Sequence, residues 1–209
     1  MDLYALFSEC LNIRYNKVGL SANYAVRADG DVLYIFFEDS DGKNDWLRNL
    51  DFPAKPYKAM DDTAWFAHRG FLKTWKEIEP YLEARIKSKR VKKIISTGYS
   101  HGAAIAVLCH EYVWYNRQDI RENIEGFGFG CPRVVWGSKG AEKRWERFCV
   151  IRNINDIVTH LPPAIFGFSH VGTLLKIGER GKYSTIEAHY AENILTELSL
   201  MNKNQKSAP

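Results

Sequence analysis

An apolar strand, Val91 to Thr97, runs straight into Gly98-Tyr99-Ser100-His101-Gly102, and Ala103 to Tyr115 (AAIAVLCHEYVWY) follows almost without a polar residue. A helix apolar on every side has to be buried on every side. Strand, sharp turn and buried helix together specify one unit of a layered α/β domain. The two glycines flank the serine because side chains there would collide with neighbouring backbone in so tight a turn. The geometry lifts the Ser100 hydroxyl above the sheet edge. It also sets the serine over a helix N-terminus, whose unpaired N–H groups and positive dipole end favour a developing anion.

The flanking segments support the same class. Residues 1–17 carry apolar residues at Leu3, Leu6, Phe7, Cys10 and Leu11, a helical spacing. Tyr24–Arg27 and Val32–Phe37 read as strands joined through Asp29-Gly30, a hairpin signal. Trp46, Leu47 and Leu50 form one face of a short helix, and Phe71–Lys89 forms a longer one that Pro80 is expected to interrupt. Gly126–Gly130, Phe148–Asn153 and Val171–Ile177 are further strands, and Thr185–Met201 is the last helix. Strands alternating with helices behind an initial hairpin predict an α/β fold. Its central sheet is mostly parallel with an antiparallel N-terminal edge, and helices cover both faces. One domain over residues 1–201 and a polar flexible tail over 202–209 are expected. In such sheets ligands bind beyond the carboxyl ends of the central strands, where Gly98–Gly102 falls.

Composition excludes several classes. The chain has 209 residues, 45% of them apolar and 26% charged, so it is not intrinsically disordered. Its apolar runs fall short of the ~20 residues that cross a bilayer. Net charge is +4, and its one basic run, Arg85 to Lys93, has no interleaved aromatics. That run reads as a solvated helix end and gives no support for a nucleic-acid partner. The four cysteines, Cys10, Cys109, Cys131 and Cys149, show neither CxxC pairing nor metal-ligand spacing, and reduced thiols are expected. The first residues lack a signal-peptide pattern, so a cytoplasmic location is the expectation, export by another route being the alternative.

A serine nucleophile needs a base, and the base needs a carboxylate to hold its tautomer. Downstream of Ser100 lie His101, His110, His160, His170 and His189. His101 follows the serine directly, so its ring cannot easily turn back, and His110 sits inside the apolar helix. In the order serine, acid, histidine, Asp156 with His170 or His189 fits.

Several blocks, in order, resemble the class 3 lipase family, the fungal-type triacylglycerol lipases among the α/β-hydrolases. They are Phe37-Glu-Asp-Ser40 with Asp45-Trp46, His68-Arg-Gly-Phe71, Gly98–Ala104, Gly128-Phe-Gly-Cys-Pro-Arg-Val134, Asn155-Asp156-Ile-Val158 through Leu161-Pro-Pro163, and Gly167-Phe-Ser-His170-Val-Gly172. The resemblance spans roughly residues 30–195 and is far more specific than any one block. It implies Ser100 as nucleophile, Asp156 as acid and His189 as base, His170 matching a structural family position. It places the oxyanion hole at the backbone N–H groups of Ser40 and His101, and a candidate lid at residues 41–55. It implies a serine carboxylic-ester hydrolase with a lipid or small acyl-ester substrate and transient contact with a lipid interface, needing no metal or organic cofactor. Two alternatives remain: a thioesterase or phospholipase-type acyl hydrolase, and a catalytically impaired binding protein on the same scaffold. The second rests on Glu38-Asp39, which stand where the family has Arg-Gly, because carboxylates beside a developing oxyanion raise its energy. Ile165, Phe166 and Phe168 fit either a pocket rim or plain core.

Overall fold

The computed structural model describes residues 1–18, 22–38, 54–57, 65–137 and 142–206. In chain order the elements are α1 (Leu3–Asn12), β1 (Asn16–Val18), β2 (Ala22–Asp29), β3 (Val32–Phe37), β4 (Ala54–Tyr57), β5 (Trp65–His68), α2 (Arg69–Ile86), β6 (Lys93–Tyr99) and α3 (His101–Asn116). There follow β7 (Ile124–Phe129), β8 (Val135–Trp136), β9 (Phe148–Asn153), β10 (Phe168–Ser169), β11 (Thr173–Ile177) and α4 (Ala191–Lys206). Seven strands form the main sheet in the order β1-β2-β3-β6-β7-β9-β11. The first three pair antiparallel through the expected hairpin, and β3, β6, β7, β9 and β11 run parallel. The expected fold, an α/β-hydrolase with an antiparallel N-terminal edge, is the one observed.

Alternation along the strands sorts the core onto the two faces. On β3, Ile35 and Phe37 join one cluster with Trp75 and Leu82 of α2 and Val107 of α3. Phe36 points the other way, to Phe7 of α1 and Ile194 and Leu198 of α4. Helix α3 is buried at every residue from His101 to Val113, so its apolar run needs no polar face. Its two polar interior residues are matched from outside: Glu111 meets the Arg144 guanidinium at 3.1 Å, and His110 Nε2 donates to the Arg144 carbonyl at 2.9 Å.

Four expectations require correction. Helix α2 runs straight through Pro80, which removes one helical hydrogen bond at a cost of about 3 kcal/mol. Trp75 and Ile78 before it and Leu82 and Ile86 after it are all fully buried, and their burial outweighs that loss. The opening helix ends at Asn12, and residues 16–18 add a strand instead. The last helix begins at Ala191, behind a three-residue turn, Glu187–His189, and continues to Lys206. Residues 202–206 of the expected tail are therefore helical, with Asn202 bonded to Asp2, the N-cap of α1. Finally, β10, β8, β5 and β4 form a second, antiparallel sheet that alternation along the chain did not suggest. Its strands are two to four residues long, too short for a periodicity to register.

The basic run ends α2 and leads into β6. Lys87, Lys89 and Lys93 meet Glu83, Asp119 and Glu125, as a solvated helix end would. All four cysteines are free thiols. No helix among the described residues is long and apolar enough to cross a membrane.

Candidate active site

Ser100 sits between β6 and α3 with φ 54° and ψ −117°, and among the described residues no other non-glycine has a positive φ. A conformation this sparsely populated costs of order 1–3 kcal/mol and persists only where surroundings enforce it. Here glycines enforce it. A Cβ on Gly102 would lie 2.1 Å from the Phe37 carbonyl oxygen, and one on Gly98 would lie 2.4 Å from the Gly102 carbonyl. The start of α3 is thus jammed against the end of β3. The first helical bonds are given by Ala103 and Ala104 N–H to the Ser100 carbonyl, so the N–H groups of His101 and Gly102 precede the helical ladder.

Asp156 and His189 come to this serine from two loops at the same end of the sheet. Ser100 Oγ donates to His189 Nε2 at 2.8 Å, and His189 Nδ1 donates to Asp156 Oδ2 at 2.8 Å. The carboxylate can only accept, which assigns the proton to Nδ1 and leaves Nε2 as the acceptor facing the serine. Asp156 is 0% exposed, and its other oxygen accepts from the Val158 N–H at 2.9 Å. Such a chain withdraws a proton from the serine as it attacks an electrophilic carbonyl, and steadies the resulting imidazolium.

The other histidines are engaged elsewhere. Burial drives His101, His110 and His170 down to about 4, so their rings are neutral. His68 adds to the effect at His101, and Arg133 at His170. The His101 ring packs edge-on to Phe71 with its Nε2 near the Thr74 hydroxyl, turned away from the serine. His170 Nε2 donates to the Thr159 carbonyl at 2.8 Å and so braces the acid loop. His160 lies beside Arg152 and, by burial and then by the neighbouring guanidiniums, is also pushed down. Of the five candidates, the structure brings only His189 to Ser100.

Ser40 and the candidate lid from 41 to 53 lie outside the described residues, while Ala54 and Lys55 open β4. The Glu38 carboxylate accepts from the Asn23 side chain on β2, so a specific partner holds it. Ile165 is 87% exposed and Phe166 58%, whereas Phe168 is core at 3%. The first two therefore form an apolar knob on the surface. Among the described residues, no group of three or more His, Cys, Asp and Glu is placed to hold a metal.

Sequence reasoning missed Gly130. It adopts φ +57°, and a Cβ there would lie 2.8 Å from His189 Cε1 and 3.4 Å from Asp156 Oδ2. Only a glycine lets the end of β7 pass this close to the histidine–carboxylate pair. It falls both in the Gly126-Phe-Gly-Phe-Gly130 alternation and in the Gly128–Val134 block, neither of which assigns it a place beside the histidine.

Residues 34–166 match the family model for class 3 lipases. A Rhizomucor miehei lipase is 31% identical over 164 residues, 71% of this chain and 43% of that protein. A Rhizopus oryzae lipase is 26% identical over 157 residues, 71% of this chain and 40% of its own length. This chain thus spans less than half the length of these curated relatives. Among solved structures, a Rhizomucor miehei triacylglyceride lipase superposes with a TM-score of 0.66 at 27% identity, covering 79% of this chain and 67% of that one. A triacylglycerol lipase whose catalytic centre is described as a serine protease triad gives 0.67 at 28% identity over the same shares. With the family model covering well over half of its residues, the chain belongs to the class 3 lipase family.

Proposed function

We propose that this protein is a serine carboxylic-ester hydrolase of the lipase or esterase type, working through an acyl-enzyme on Ser100. The observation that carries the reading is the unbroken hydrogen-bond chain Ser100–His189–Asp156, anchored on a strained turn above the N-terminus of α3. His189 Nε2 takes the proton as Ser100 Oγ attacks the acyl carbonyl, and the carbonyl oxygen becomes an oxyanion. The His101 N–H, which precedes the helical ladder, is the first donor to that charge. The backbone running on from β3 lies against the same helix start, which suits Ser40 as the second donor. His189 then returns the proton to the departing alcohol as the ester C–O bond breaks. A water molecule, deprotonated by His189, attacks the acyl-serine. The carboxylic acid leaves, and Ser100 recovers its proton. No step requires a metal or an organic cofactor.

The substrate we infer is an apolar acyl ester presented at a lipid surface. The loops that carry Asp156 and His189 leave the apolar side chains of Ile157, Ile165, Phe166, Ile186 and Tyr190 exposed. Hydrolysis of p-nitrophenyl esters from acetate to palmitate, wild type beside Ser100→Ala, tests the proposal. The substitution is expected to lower kcat by at least about 10⁴-fold. A wild type inert to every ester, with Ser100 unlabelled by a fluorophosphonate, overturns the reading.

A further inference from the structure

The imidazole that faces Ser100 is held by the residue immediately before that serine. Tyr99 closes β6, and its hydroxyl donates to the main-chain carbonyl of His189 at 2.6 Å. Its ring also lies over the His189 ring, centroids 5.2 Å apart and planes 28° from parallel. On its other side the tyrosine meets the edge of Phe7 from α1 at 5.6 Å, and Phe7 is stacked on Phe129 of β7 at 4.4 Å. The tyrosine is therefore wedged between a packed aromatic pair and the histidine turn, with both its hydroxyl and its ring meeting His189.

His189 needs such a support. It ends a three-residue turn 89 residues along the chain from Ser100, and the side-chain bonds of that turn, from Ser184 and Asn193, reach Glu187 rather than His189 itself. An imidazole has two rotatable bonds and a backbone position to fix before Nε2 can stay 2.8 Å from Oγ. The tyrosine hydroxyl fixes the backbone, and the stacked ring limits the imidazole plane. Because Tyr99 and Ser100 are joined by one peptide, about 3.8 Å between Cα atoms, both reactants are referenced to the same point on the sheet.

We propose that Tyr99 is a positioning residue that sets the distance and plane of His189 relative to Ser100. The proposal rests on the reading of Ser100 and His189 as nucleophile and base. The substitutions that test it are Tyr99→Phe, which keeps the ring and loses the hydroxyl, and Tyr99→Leu, which loses both. With p-nitrophenyl butyrate, Tyr99→Phe is expected to lower kcat roughly 10-fold and Tyr99→Leu roughly 100-fold, KM staying within about twofold, since small displacements of a reacting group act on the chemical step. The second readout is the low-field proton resonance of His189 Nδ1–H in its bond to Asp156, assigned by its disappearance in His189→Gln. It should be sharp in the wild type, broadened in Tyr99→Phe and absent in Tyr99→Leu while circular dichroism reports an intact fold. Should the leucine variant fail to fold, the phenylalanine variant carries both readouts. A kcat within about twofold of wild type in each folded variant overturns the proposal, as does a loss confined to KM or an unchanged resonance. If the wild type itself hydrolyses no ester and Ser100 takes no fluorophosphonate, it is the hydrolase reading that fails. The resonance then decides for Tyr99 alone: its loss in the variants upholds the positioning role, and its retention removes it.

Discussion

The two halves of the triad are built by different physics. Ser100 is held by close packing: a central strand, a helix buried along thirteen consecutive residues, and glycines whose absent side chains let backbone touch backbone. The loops that carry Asp156 and His189 are held by hydrogen bonds. Asn155 Nδ2 donates to the carbonyls of Glu179 and Tyr183, Ile157 N–H to the Thr185 carbonyl, and Asn193 Nδ2 to the Glu187 carbonyl. Packed contacts fail steeply, because an added atom has nowhere to go. Hydrogen bonds that share a task fail by degrees, each contributing about 1 kcal/mol. The nucleophile side should thus be all-or-none toward substitution, and the acid–base side graded everywhere except at the reacting atoms and where Gly130 packs against them.

After loss of the nucleophile itself, the largest effect is expected at the acid. Asp156→Asn keeps the volume but exchanges an acceptor for an amide whose NH₂ can face Nδ1. The imidazole then favours the tautomer with its proton on Nε2, where it can no longer accept from Ser100. A kcat drop of about 10³–10⁴-fold is expected on a short ester, with the melting temperature little changed. Activity within tenfold of wild type would mean that the buried carboxylate only holds its loop.

Next comes the packed side. Gly102→Ala would place a Cβ 2.1 Å from one backbone oxygen and 2.7 Å from another, on β3 and just beyond it. Backbone in the middle of a seven-stranded sheet cannot move aside cheaply. A loss on the order of 3 kcal/mol follows, or about 10 °C in melting temperature for a chain of this size. A variant as stable as wild type would show that the elbow is looser than its contacts imply, and the contrast between the two halves would weaken.

The same contrast explains what the sequence disclosed. The elbow was legible because its strand, turn and helix lie within one stretch, Lys93 to Asn116, and its glycines are written in the motif. The parallel sheet with its antiparallel edge was legible from alternating strands and helices. His189 was not reachable from the residues alone, because its partners come from 33 and 89 positions away and chain order left His170 equally open. The resemblance to a family, not a local pattern, singled it out. Tyr99 and Gly130 were not legible as supports: one occupies a variable position of the motif, and the other lies in a strand and a family block that do not say what it packs against. The small second sheet stayed hidden because its short strands are paired by tertiary contact rather than by their own periodicity.

The smallest predicted effect probes the graded side. Tyr183 lies in the loop between β11 and the histidine turn, and its hydroxyl donates to Glu197 of α4 at 3.0 Å. Glu197 is 6% exposed and is also met by Lys182 Nζ at 2.6 Å, so removing the tyrosine hydroxyl leaves the carboxylate with a partner. Tyr183→Phe should therefore cost only about 1 kcal/mol, and only locally. Amide hydrogen exchange across residues 179–187 should quicken about fivefold while the amides of α3 keep their protection, and kcat should fall by less than about threefold. The loop keeps its other ties at Asn155, Ile157 and Asn193, and these hold His189 near its place. Equal acceleration in α3 would mean that elbow and loops open as one cooperative unit. The difference between a packed half and a hydrogen-bonded half would then be a difference in construction only, with no counterpart in how the site comes apart.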